Sequence, residues 1–123
     1  MQAPMADTPP AAPIPVDADL RAALPGFIRS RLGILQDLKM AIDKDDRVAV
    51  RSHAHRLAGS FGLYGFYWAA ARALHLERES HTLTANGMTA IVTAVMLHLQ
   101  SAKVQFTDQP GVTLEIESLL KAA

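Results

Sequence analysis

VRSHAHRLAGSFGLYG, residues 50–65, repeats apolar side chains at the spacing of an α-helix. Because a helix advances roughly 100° per residue, these apolar positions fall on one stripe and predict a core-facing side. The stripe consists of Val50, Ala54, Leu57, Phe61 and Tyr64. His55 lies outside it, on the outward face of the predicted helix. That face also carries Arg51, Ser52, Ala58, Gly59 and Gly62.

Gly59 and Gly62 are costly at these positions, since each destabilises a helix by about 1 kcal/mol relative to alanine. A partner that must approach the backbone closely around the imidazole would account for both glycines. We therefore interpret Gly59, Gly62 and Ser52 as part of a docking face around His55. A neutral imidazole has an unprotonated ring nitrogen that is nucleophilic near neutral pH, so His55 is the candidate reactive group.

The chain shares a motif with a known family, carried by His55, Leu57, Gly59, Ser60, Gly65, Leu76 and Glu77. These residues resemble the signature of histidine-containing phosphotransfer (HPt) domains, which reads His-x-Leu-Lys-Gly-Ser, then a second glycine, then a helix ending in Leu-Glu. The resemblance covers roughly residues 24–107. One position departs from the family pattern, because Ala58 stands where the family has a lysine near the phosphoryl group.

The resemblance implies that His55 takes a phosphoryl group from an aspartyl phosphate on a receiver domain and passes it to another receiver. It also implies response-regulator receiver domains as partners, with a hybrid histidine kinase as a further one. In the family the receiver supplies Mg²⁺, so no cofactor or metal of the chain's own is expected. Arg51 and Arg56 are the hypothesised replacements for the missing lysine, since a guanidinium binds phosphoryl oxygens well. The alternative is that both arginines are ordinary solvated side chains.

Two other functions stay open at this point. The departure at Ala58 is compatible with a docking module that binds receivers without exchanging phosphate, and the helical pattern alone is compatible with a structural or dimerising domain. An autonomous kinase is not expected, because 123 residues leave no room for an ATP-binding domain and no glycine-rich nucleotide loop is present.

The composition fits one soluble domain. The chain has 123 residues, half of them hydrophobic, and its 12 basic and 12 acidic residues cancel. Binding to nucleic acid or to anionic membranes through bulk charge is therefore not expected. Without cysteine, a signal peptide or a long apolar run, the chain is predicted to be a cytoplasmic protein, and one closed bundle predicts a monomer.

The predicted fold is an antiparallel up-down four-helix bundle with short extra helices at the N- and C-termini, and with no sheet. Residues 1–16, rich in proline and alanine, are predicted to be a disordered tail, and residues 17–123 a single domain. Asn86-Gly87 predicts a turn between the last two long helices. The predicted helices span residues 17–23, 26–43, one ending near 63, 66–80, 88–106 and 114–120.

Tyr67 and Trp68 are predicted to lie away from the apolar stripe of the third long helix. As exposed aromatics they would extend the docking face. The alternative is that they pack beneath the N-terminal segment or the C-terminal helix. Glu77 is expected to pair with His81 one turn later, in a structural role only.

The remaining histidines are given structural interpretations. His53 and His55 point to opposite sides of a helix, so one metal ion cannot readily bind both, and His53 is predicted to be half-buried. The other histidines are His75, His81 and His98. No acidic residues at metal-ligand spacing accompany them, so no metal site is predicted.

Overall fold

The computed structural model describes residues 8–122. Within them, four long helices lie in chain order between a short N-terminal strand and a C-terminal strand pair with a final helix. The α-helices are α1 (Leu24–Asp43), α2 (Arg47–Leu63), α3 (Tyr67–Arg78), α4 (Ala85–Ser101) and α5 (Ile116–Ala122). A single turn of 3-10 helix, Ala18–Leu20, lies where the short N-terminal helix was predicted. The strands are β1 (Ile14–Val16), β2 (Lys103–Phe106) and β3 (Leu114–Glu115).

The long helices close into a ring in which α1 packs on α2, α2 on α3, α3 on α4 and α4 on α1. Short turns reverse the chain between them, as an up-down bundle requires. The apolar stripes predicted for the helices form the common core, with Ile28, Leu38, Val50 and Phe61 completely inaccessible to solvent. The mostly helical class is thus confirmed. No helix among the described residues is both long and apolar enough to cross a membrane.

Two helices, α1 and α4, start earlier than the sequence pattern predicted, and local chemistry explains both starts. The first long helix was predicted to start at residue 26, whereas Pro25 already lies in the first turn of α1, where the missing N–H of proline costs no hydrogen bond. Likewise Asn86 and Gly87 do not form a turn before α4. Thr84 caps that helix by accepting a hydrogen bond from the Gly87 N–H, so the helix begins at Ala85.

A small sheet replaces parts of the predicted tail and helices, so the prediction that no sheet is present is wrong. β2 is its central strand, pairing in parallel with β1 and antiparallel with β3. Residues 103–106 were predicted to continue α4, but their side chains alternate between exposed and buried positions, which is the period of a strand. The terminal helix accordingly begins at Ile116, and Leu114 belongs to β3.

The N-terminal segment is also ordered where a tail was predicted. Ile14 and Val16 are buried in the main core, and their strand pairs with Val104 and Phe106. The predicted boundary after Val16 is therefore wrong for β1, because backbone pairing with β2 offsets the poor propensity of a proline-rich stretch. Residues 1–7 of the predicted tail lie outside the described residues.

Candidate functional site

The outward face of α2 carries the candidate nucleophile. Val50, Ala54 and Leu57 are buried, which fixes the rotation of α2 and turns His55 away from the core. The His55 side chain is 75% exposed. A partner can therefore reach the imidazole without any rearrangement of the bundle.

One ring nitrogen of His55 is held by a carboxylate on the neighbouring helix. His55 Nδ1 lies 3.1 Å from Glu77 Oε2, and the Glu77 side chain is only 18% exposed. A carboxylate accepts hydrogen bonds and does not donate them, so the pair requires the proton on Nδ1. The lone pair of a neutral ring is then on Nε2, on the far side of the ring from Glu77. The predicted Glu77–His81 pair is replaced by this contact.

His55 lies at the edge of a shallow hollow between α2 and α3, with a volume of about 500 Å³. Half of its lining residues are alanine or glycine, and the full lining is His55, Ala58, Gly59, Ala70, Ala71, Leu74, Glu77 and Arg78. A Cβ atom built at Gly59 or at Gly62 would meet no neighbouring heavy atom within 4 Å. Packing within the chain therefore does not require glycine at either position. Gly59 lines the hollow itself, and Gly62 lies one turn further along α2.

Arg51 and Arg56, the candidate phosphate-binding residues, do not line the hollow next to His55. Ala58 lines the hollow, whereas the exposed side chains of Arg51 and Arg56 are not part of its lining. Burial lowers the pKa of Arg31 on α1, and the positive charge of Arg56 lowers it further. Arg56 is therefore close enough to Arg31 for their charges to interact. The roles suggested for Arg51 and Arg56 stay predictions.

The aromatic pair at the start of α3 splits between surface and core. Tyr67 is 65% exposed, as predicted for a docking residue, and Ser52 is exposed as well. Trp68 is only 3% exposed, so the prediction that it forms part of the exposed surface is wrong. Its ring lies edge-on to the His98 ring at a centroid distance of 5.0 Å, and residues 10–15 of the N-terminal segment lie beside both.

The other histidines keep structural positions. His53 is half-buried, as predicted, and its Nδ1 atom has no hydrogen-bond partner among the described residues. His98 is buried, and this burial lowers its pKa from the ordinary value of 6.5. No group of three or more histidine, cysteine or acidic side chains suited to holding a metal ion occurs in residues 8–122.

Two residues of the site were not assigned a functional role from the sequence. Glu77 is the hydrogen-bond partner of His55, and Arg78 lines the hollow beside it. The signal was present in α3, because Ala70, Leu74, Glu77 and Arg78 follow helical spacing along one side. To recognise this signal, one must know how α3 is aligned against α2, and the sequence pattern of a single helix does not give that alignment.

Comparison with known proteins agrees with the motif. The sequence model of the Hpt domain matches residues 24–121, which include all four long helices and most of α5. Comparisons with curated proteins and with solved structures returned no match. The resemblance inferred from the His55 motif is confirmed, and it extends past the predicted limit at residue 107.

Proposed function

Since this chain belongs to the Hpt domain family, whose members serve histidine phosphotransfer in two-component signalling and interact with receiver domains, we propose that His55 is its phosphoacceptor. In this proposal His55 accepts a phosphoryl group from an aspartyl phosphate on one receiver and returns it to the aspartate of another. The observation that carries the proposal is the exposed imidazole whose Nδ1 lies 3.1 Å from Glu77. This contact directs the free nitrogen toward a partner.

The transfer step follows from that geometry. Nε2 of neutral His55 attacks phosphorus in line with the bond to the aspartyl oxygen; the P–N bond forms as the P–O bond breaks, and the aspartate leaves as a carboxylate. Nδ1 keeps its proton throughout, so the phosphorylated ring carries a positive charge beside Glu77. The carboxylate favours that charge and holds the ring in the reactive orientation.

The metal ion belongs to the partner in this proposal. A receiver that brings Mg²⁺ neutralises charge on the phosphoryl oxygens, and His55 then has to supply only a positioned nucleophile. The hollow beside His55 supports such an arrangement, because its small side chains leave room for a partner surface close to the imidazole.

The proposed docking face runs from His55 along α2 to the start of α3. Gly59 and Gly62 leave its centre open, and the side chains of Leu63 and Tyr67 are exposed at its far end. Exposed apolar and aromatic groups beside an open centre are typical of protein interfaces. We place the receiver over this surface.

Ala58 favours one alternative, a module that binds receivers without exchanging phosphate. The position lines the hollow, so a lysine there would have faced the phosphoryl group. Without that charge, docking can persist while transfer is lost. Both functions use the same surface, and only a transfer experiment separates them.

The test incubates the full chain with a receiver phosphorylated with radiolabelled phosphate. We expect acid-labile, base-stable label on the chain, lost in His55→Gln and retained in the matched variant His53→Gln. Receiver binding without label would support the docking module and contradict transfer. Neither binding nor label would contradict both functions and leave a structural domain.

A further inference from the structure

The α3 wall of the hollow ends in a basic side chain. Glu77 and Arg78 are the last two residues of α3, and both line the hollow together with His55. Arg78 is the only lysine or arginine among the described residues that line it. The hollow therefore contains one permanent positive charge, and this charge comes from α3 and not from α2.

A positive charge in the hollow would stabilise the phosphoryl group on phosphorylated His55. A phosphoryl group carries roughly −1.5 to −2 charges near neutral pH. Glu77 lies 3.1 Å from the other ring nitrogen and balances the positive charge of the phosphorylated ring, so that ring charge does not neutralise the phosphoryl oxygens. A cation in the same hollow would supply the positive charge that the phosphoryl oxygens then lack.

Arg78 is available for this role. Its guanidinium makes no ion pair or hydrogen bond with another of residues 8–122, whereas Arg47 is tied to Asp45 and to the Ser80 and Leu83 carbonyl oxygens. Arg56, by contrast, is close enough to Arg31 on α1 for their charges to interact, and it does not line the hollow. A guanidinium offers several N–H donors in a planar fork, a geometry that suits phosphoryl oxygens.

We propose that Arg78 binds the phosphoryl oxygens on phosphorylated His55 and supplies from α3 the positive charge that Ala58 does not supply from α2. This inference rests on the proposed function, since it concerns the phosphorylated state of His55. The alternative is a structural role, in which Arg78 only interacts with the helix dipole as a basic residue in the last turn of α3.

The test uses phosphoramidate as the phosphoryl donor, so that no receiver is needed. The phosphorus NMR signal of the His55 phosphoryl group, assigned by its loss in His55→Gln, is followed against pH. Two charges about 6 Å apart in a water-like medium shift a titration midpoint by about half a pH unit. We expect Arg78→Ala to raise the midpoint of this titration by this amount, and Arg78→Lys to restore most of it.

Matched variants separate this effect from a general loss of charge. Arg51→Ala and Arg56→Ala test the competing candidates on α2, which do not line the hollow; if Arg78 is the cation that binds the phosphoryl oxygens, both variants leave the midpoint unchanged. Ala58→Lys introduced into the Arg78→Ala chain should lower the midpoint again, because position 58 lines the same hollow. The stability of each variant is measured by thermal unfolding, and a structural role of Arg78 would change only that measurement.

The outcomes distinguish the two proposals. An unchanged midpoint in Arg78→Ala, or an equal rise in Arg51→Ala or Arg56→Ala, overturns the role of Arg78 while His55 remains the phosphoacceptor. A normal titration with no transfer from a phosphorylated receiver overturns the proposed relay function alone. Absence of any His55 phosphoryl signal overturns both.

Discussion

Replacement of Gly59 by alanine should make the protein more stable and at the same time slower in phosphotransfer. Gly59 lies in the interior of α2, where glycine costs about 1 kcal/mol relative to alanine. Its built Cβ has no neighbour within 4 Å, so steric strain does not offset the gain. We expect the free energy of unfolding to rise by about 1 kcal/mol, which raises the melting temperature by roughly 4 °C in a domain of this size.

The same methyl group should obstruct the receiver. It would stand in the hollow beside His55, where the proposed partner approaches the backbone. A displacement of the reacting groups by about 1 Å costs up to a hundredfold in rate, so we expect transfer to slow by about tenfold to a hundredfold. Gly59→Leu should slow it further.

Thermal unfolding by circular dichroism and initial rates of transfer from a phosphorylated receiver measure the two effects. Gly33→Ala is the matched control, because Gly33 is an exposed glycine inside α1 with no neighbour within 4 Å of its built Cβ, and it does not line the hollow. It should gain the same stability and keep the transfer rate of the wild type. A Gly59→Ala protein that is stabilised but transfers at the wild-type rate would refute close approach as the reason for this glycine.

Three further predictions concern other parts of the molecule. Gly65→Ala should lower the free energy of unfolding by about 2 kcal/mol in urea titrations, because φ is +83° and the new Cβ would lie 2.9 Å from the Pro15 carbonyl oxygen; an unchanged midpoint would contradict this. Glu77→Ala should slow transfer to His55 by about tenfold or more, with Glu77→Gln slowed less since an amide oxygen still accepts the Nδ1 hydrogen bond; equal wild-type rates would exclude a positioning role. Stability should fall as the pH decreases below 6.5, because burial lowers the folded-state pKa of His98 and the unfolded chain binds the proton first, with a slope of at most about 1.4 kcal/mol per pH unit. His98→Gln should flatten this fall, and an equally steep profile in that variant would assign it to other groups.

The parts of the fold that depend on local periodicity were predictable from the sequence. The stripe through Val50, Ala54 and Leu57 placed α2 correctly and turned His55 outward, because burial of one helical face fixes its rotation. The predicted end of α2 near Leu63 agrees with the structure. Such features need no information beyond about two turns of chain.

The sheet could not be predicted in the same way. β1 and β2 come from opposite ends of the chain, and the partner of Ile14 is Val104. The proline-rich composition of the first segment argues against a strand until its partner is known. Residues 103–106 gave a misleading signal, since their apolar positions also continue the helical pattern of α4.

The site was predictable to the level of one helix. His55, Ala58 and Gly59 were identified from α2 alone, and all three line the hollow. The residues that α3 contributes to the site could not be identified in this way, because the His55–Glu77 contact joins residues 22 positions apart and depends on how the two helices are aligned. Burial of Trp68 likewise depends on an N-terminal segment that was predicted to be disordered.

Nitrogen NMR of the phosphorylated chain, labelled with ¹⁵N at its histidine rings, tests the central claim most directly. We predict phosphorus coupling to Nε2 of His55 and a retained proton on Nδ1, because Glu77 accepts its hydrogen bond from that nitrogen. Phosphorus coupling to Nδ1 of His55, or to a ring nitrogen of any other histidine, would contradict the account.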